Sequence, residues 1–94
     1  MPINQFVKAA AFTLLAGSAA TAMAGPQCTE ADKSKWQDQE AFQEKLKNDG
    51  YDIKKFKVTG GDCYEIYGYN TEGKRVEIYF NPVDGSVVKE EIED

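Results

Sequence analysis

The chain reads as an α+β protein: one main helix packed on an antiparallel β-sheet of three to four strands. Three observations predict this. A single tract, 39–48, combines strong helix formers with an apolar pair at i, i+4. From 53 to 89 the apolar residues instead alternate with period two, punctuated by Gly, Asn, Asp and Pro. The length left after the N-terminal leader suits one small domain and no more.

That leader is residues 1–24. Lys8 sits in a short polar lead, small and apolar residues run from Ala9 to Ala22, and Ala22-Met23-Ala24 closes the segment. An A-x-A ending after a short apolar run reads as a secretory cleavage site. The run is too short to cross about 30 Å of hydrocarbon as a stable helix, which argues against an uncleaved anchor. Cleavage after Ala24 would leave Gly25 as the first residue of the exported, periplasmic or secreted protein.

The segment 25–35 is polar and expected to be irregular, fixed mainly through Cys28. Only two cysteines occur, Cys28 and Cys63, separated by 35 residues (63 minus 28). In an oxidising compartment such a pair forms a disulfide, contributing about 3–4 kcal/mol by loop-closure reasoning. A domain this small buries little surface and needs such a staple. Gly25-Pro26-Gln27 is not a lipobox and no Cys-x-x-Cys spacing exists, so a lipidated Cys28 or a redox thiol fits less well.

The helix is expected to begin between Lys33 and Asp38, with Asp38 as N-cap. Phe42 and Leu46 share one face, with Ala41 beside them and Trp36 near the start; Glu40, Gln43, Glu44 and Lys47 form the other. Gly50 suits the left-handed position that ends a helix, letting Tyr51 pack back on Leu46. So narrow a stripe implies a helix lying over a sheet with one side wet.

A first strand is expected over 53–59, with Phe56 and Val58 inward and Lys55 and Lys57 outward. Gly60-Gly61-Asp62 turns the chain. Residues 63–70 and 74–81 then form a hairpin around Asn70-Thr71-Glu72-Gly73, a type I turn with Gly73 in the bulge position. Setting Asn70 opposite Lys74 fixes the register. Tyr64 faces Phe80, Ile66 faces Ile78 and Gly68 faces Val76 on one side; Glu65 faces Tyr79, Tyr67 faces Glu77 and Tyr69 faces Arg75 on the other. A slip by one residue would bury charges. After the turn 81–85 a short strand, 86–89, is expected, and the acidic tail 90–94 reads as solvated and frayed. Alternation points Cys63 away from the helix, although Cys28 precedes that helix. Either the Gly60-Gly61 hinge or a bulge turns Cys63, or the N-terminal segment wraps the sheet edge.

Composition narrows the function. Asp and Glu number 16 against 11 Lys and Arg; removing Lys8 leaves ten basic residues and a net charge of −6. An acidic domain without a basic stripe is a poor match for nucleic acid or an anionic membrane, and no stable insertion is expected after cleavage. Histidine is absent, which removes the usual general base and the commonest transition-metal ligand. Ser34 and Ser86 therefore lack an activating partner.

Trp36, then Leu46-x-x-x-Gly50-Tyr51, Gly61-x-Cys63-Tyr64-Glu65-Ile66-Tyr67, Gly73-Lys74-Arg75-Val76-Glu77-Ile78-Tyr79-Phe80, and the exit Asn81-Pro82-Val83-Asp84-Gly85 with Val87-Val88 form one pattern. It resembles the PepSY domain in its small, stand-alone envelope form, over roughly residues 36–89 of a domain spanning 36–94. The resemblance implies a helix on an antiparallel sheet and no catalysis. It further implies a module associated with inhibiting or regulating peptidases, or an extracytoplasmic part of sensors and transport-linked proteins. No attached protease accompanies the domain here, unlike the propeptide form, and no active-site residue carries over.

No enzyme, metal site or cofactor is expected. Glu65 and Glu77 lie diagonal on the open face and read as solvated carboxylates rather than an acid–base pair, because perturbed pairs need burial. Asp84, Ser86 and the acidic tail match no calcium-loop spacing. The outer face is the more informative feature: Tyr67, Tyr69 and Tyr79 should cluster with Arg75, the composition of an interaction surface as well as of a well-paired wet sheet. The expected function is a non-catalytic envelope module that binds a peptidase or another envelope protein at this face or at a strand edge. The alternative is a ligand-sensing or accessory domain for a membrane sensor or transporter.

Overall fold

The structure is a computed structural model and describes residues 25–93. The leader lies outside the described residues. One 3-10 turn, Lys33–Lys35, precedes the helix α1, Gln39–Asn48; four strands come after it, β1 (Asp52–Val58), β2 (Tyr64–Tyr69), β3 (Arg75–Phe80) and β4 (Val87–Glu93). They form one antiparallel sheet in the order β1-β2-β3-β4, with α1 against one face. This is the α+β architecture expected.

Helix α1 starts where the sequence places it. Asp38 caps it, its carboxylate accepting from the Ala41 N–H at 2.9 Å. At the far end Gly50 takes φ 106°, and the Tyr51 N–H returns to the Leu46 carbonyl at 3.0 Å. Phe42 and Leu46 are the buried residues of α1, whereas Ala41 is exposed and takes no part in the packing face.

The core is an aromatic and aliphatic layer: Phe42, Leu46, Tyr64, Ile66, Val76, Ile78 and Phe80, flanked by Trp36, Tyr51, Ile53 and Phe56. Tyr64 is its hub, with the rings of Phe42, Phe56 and Trp36 at 5.1, 5.2 and 5.6 Å. Its hydroxyl donates to the Gln37 carbonyl at 2.5 Å, satisfying a polar atom that would otherwise be stranded. Gln37 also pins the β3–β4 connection through its N–H to the Pro82 carbonyl at 2.8 Å. The approach to α1 is thus tied to both the sheet and the loop beyond it.

All six pairs of the β2–β3 hairpin match the expected register, from Tyr64 opposite Phe80 to Tyr69 opposite Arg75. Gly73 takes φ 80° and its N–H bonds to the Asn70 carbonyl at 2.9 Å, as the turn requires. In β1 a bulge between Ile53 and Lys55 shifts the pairing, and Val58, though on the helix side, stays 37% exposed at the rim.

The tail corrects the sequence reading. Rather than fraying after Lys89, β4 continues to Glu93, with Glu91 opposite Glu77 and Glu93 opposite Arg75. Every side chain of β4 is exposed, so the charges are solvated as expected. The backbone is not free, because it supplies the hydrogen-bond partners that β3 would otherwise lack on that edge.

Cys28 and Cys63 form a disulfide, with S–S 2.02 Å and Cα atoms 5.0 Å apart. The tension over Cys63 resolves by the second route. The segment 25–28 runs along the outer side of the sheet: Gly25 sits against the Tyr79 ring, Pro26 against Gly61, and the Cys28 N–H bonds to the Gly61 carbonyl at 2.9 Å. The chain then passes round to the helix side, where Trp36 meets Tyr64. Gly61 makes this strap possible, since a Cβ there would collide with the Pro26 carbonyl oxygen.

Candidate functional site: the open sheet face

Alternation along β1–β4 sends one set of side chains away from α1. Cross-strand pairing arranges them in rows: Lys57, Glu65, Tyr79 and Lys89, then Lys55, Tyr67, Glu77 and Glu91, then Tyr69, Arg75 and Glu93. The candidate residues Tyr67, Tyr69, Tyr79 and Arg75 therefore share a face, but not one environment.

Tyr67 is 36% exposed, with the Lys55 ammonium 5.8 Å from its ring centroid, a cation–π geometry. Tyr69 is half-buried and Arg75 is exposed, its guanidinium 3.5 Å from the Glu93 carboxylate. These three form an accessible polar–aromatic patch on rigid strands. Tyr79 does not join them. Only 7% exposed, it lies under Gly25, and its hydroxyl donates to Glu77 Oε2 at 2.8 Å.

Glu65 departs furthest from expectation. Read as a solvated carboxylate, it is 2% exposed, and its Oε2 has no hydrogen-bond partner. The strap crosses this face on Tyr79, the cross-strand neighbour of Glu65, at a position that alternation alone would leave wet. Burial, then hydrogen bonding to Glu77, raises its pKa above the ordinary carboxylate value, while hydrogen bonding with Glu65 lowers that of Glu77. One proton shared between the two carboxyls accounts for both directions. The same pair acts on the phenols: hydrogen bonding to Glu65 and then Glu77 pushes Tyr67 up to about 12, and burial followed by Glu77 raises Tyr79 further.

Sequence reasoning named this carboxyl pair but read it as solvated, because alternation gives the face of Glu65 and not the strap, about 40 positions upstream, that crosses that face. A signal existed in Glu65 and Glu77 lying diagonal beside Tyr67 and Tyr79, a set able to satisfy itself by hydrogen bonds. Elsewhere, Asp84 accepts from the Ser86 N–H and hydroxyl at 2.9 and 2.7 Å, bonds that lower its pKa and serve the turn. Among the described residues no group of three or more His, Cys, Asp or Glu is arranged to hold a metal ion.

A groove of about 730 Å³ lies on the helix side, where Trp36, Asp38, Val58 and Tyr64 meet near the start of α1. It is open to solvent.

A sheet covered by a helix on one face and carrying an exposed Tyr–Arg patch on the other makes a small α+β module. The profile of the PepSY_2 family, "Peptidase propeptide and YPEB domain", matches residues 8–91, nearly the whole chain, and the chain belongs to that family. No curated protein and no solved structure matches it. PepSY domains are generally non-catalytic, propeptide-like or peptidase-inhibiting regulatory modules, typically extracellular or periplasmic. No helix among the described residues is long and apolar enough to cross a membrane.

Proposed function

We propose that this protein is an exported, non-catalytic module that docks on an envelope peptidase and restrains it. One observation carries the reading: the face not covered by α1 presents Tyr67, Tyr69 and Arg75 together on paired strands. Tyrosine and arginine held on a rigid scaffold lose little entropy on binding and recur as the anchors of protein interfaces. Membership of a family described by peptidase propeptides supports a peptidase as the partner.

The full chain, expressed in its host and captured after crosslinking, should recover a peptidase whose activity falls on adding purified protein. Tyr67→Ser with Arg75→Ala should weaken that binding by at least about tenfold while the protein still unfolds cooperatively well above the assay temperature. Unchanged affinity would remove the open face from the interface. Tyr79 is unsuited to this test because it is buried.

The groove beside Trp36 supports a second reading, a ligand-sensing or accessory role beside a membrane sensor or transporter. A small molecule that raises the melting temperature without any protein partner would favour it.

A further inference from the structure

Three features of the outer face converge on one point. Glu65 holds a buried carboxyl whose Oε2 has no partner, in contact with a second acid, Glu77. An unpaired buried carboxylate oxygen is costly, and either a proton or a cation relieves it. Tyr79 lies beside the pair, donating to Glu77 at 2.8 Å. Gly25 lies on Tyr79: a Cβ built on it would stand 3.0 Å from the Tyr79 hydroxyl and 2.7 Å from the ring. Gly25 is also the residue immediately after the Ala22-Met23-Ala24 cleavage signal. The disulfide and the Cys28–Gly61 bond fix the strap three residues further on.

We propose that the α-ammonium of Gly25, created by removal of the leader, is the counter-ion of the Glu65–Glu77 carboxyl pair. Hydrolysis of the Ala24–Gly25 bond by the export protease adds one water, leaving a carboxylate on Ala24 and an amine on Gly25 that takes up a proton. Before cleavage that nitrogen is an uncharged amide, and the pair must hold a proton of its own. After cleavage a positive charge with three donors arises at a residue already seated on Tyr79. The side chains of Lys57 and Lys89, which flank the row from β1 and β4, are exposed and reach the same face from the solvent side. Leader removal then finishes the outer face electrostatically as well as freeing the domain. This inference rests on the export part of the proposed function and not on the choice of partner.

The test begins with the mature protein purified from its host after expression of the full chain. Its intact mass shows where it starts; a terminus other than Gly25 refutes the processing step, independently of the titration. With Gly25 first, the amine should titrate above its ordinary value of about 8, monitored by NMR of the labelled terminus. Acetylation restricted to that amine should lower the melting temperature by about 4 °C or more at neutral pH. In Glu65→Gln/Glu77→Gln the amine should return to its ordinary value and acetylation should cost nothing. A normal amine in the parent, or an acetylation effect that survives in the double variant, would overturn the proposal. The titration reads the contact in the unmodified protein, so it stands even where the acetylated form fails to fold.

Discussion

At the scale of single residues, Glu65 and Glu77 give the outer face a defined pH response. With the Gly25 amine blocked, Glu65 titrates above, and Glu77 below, the ordinary value of 4.5. The contribution of Glu65, whose folded value is raised, is fully present below that ordinary value and is lost as pH rises through the raised one. Glu77 behaves oppositely: its contribution is present above the ordinary value and is lost as pH falls through the lowered one. Stability of the blocked protein should therefore peak in the ordinary carboxylate range and decline on both sides. Lys57, Tyr67, Tyr79, Lys89 and Glu91 face the pair from the four strands, and the two tyrosines, both raised above their ordinary value, stay neutral across pH 5 to 8. In the same blocked form, Glu65→Gln keeps a donor for Glu77 and has no proton to lose, so from pH 5 to 8 its melting temperature should fall less than that of the blocked parent. Equal slopes, read by thermal melts, would mean that Glu65 is solvated.

At the scale of elements, α1 holds to the sheet through few side chains. Phe42 meets the rings of Tyr64 and Phe80, both at 5.1 Å, while Ala41 beside it is exposed. Phe42→Ala should cost about 3–5 kcal/mol in urea unfolding, against a few tenths for Ala41→Ser. Comparable losses would show that the helix packs on a different face. Strand β4 is held differently, by backbone pairing with exposed side chains. Ending the chain at Lys89 should cost about 2 kcal/mol or more by opening the β3 edge, measured by amide exchange along Arg75–Phe80. Unaltered protection there would mean that the acidic tail contributes nothing to the sheet. The β2–β3 hairpin was legible because one register alone sorts apolar from charged residues. The extent of β4 was not, since a strand exposed on both faces has no alternation to read.

At the scale of the whole molecule, the N-terminal segment is joined to the sheet by the disulfide, the Cys28 N–H bond to the Gly61 carbonyl and the close approaches of Gly25 to Tyr79 and Pro26 to Gly61. Gly61→Ala should cost about 1–3 kcal/mol, because the added methyl meets backbone rather than a side chain that can swing away. Replacing both cysteines by serine should cost about 2–5 kcal/mol and, in the amine-blocked protein, raise the solvent exposure of Glu65, seen as a return of its titration toward 4.5. A parent and a cysteine-free protein with the same Glu65 titration would show that the strap does not bury it. Local periodicity, turn chemistry and the count of available partners were enough to set the class of fold, the caps of α1, the hairpin register and the pairing of Cys28 with Cys63. The tertiary structure alone decided that Tyr79 and Glu65 are covered while Tyr67 and Arg75 stay open. Alternation assigns a residue to a face, but water is excluded from that face by whatever distant segment crosses it.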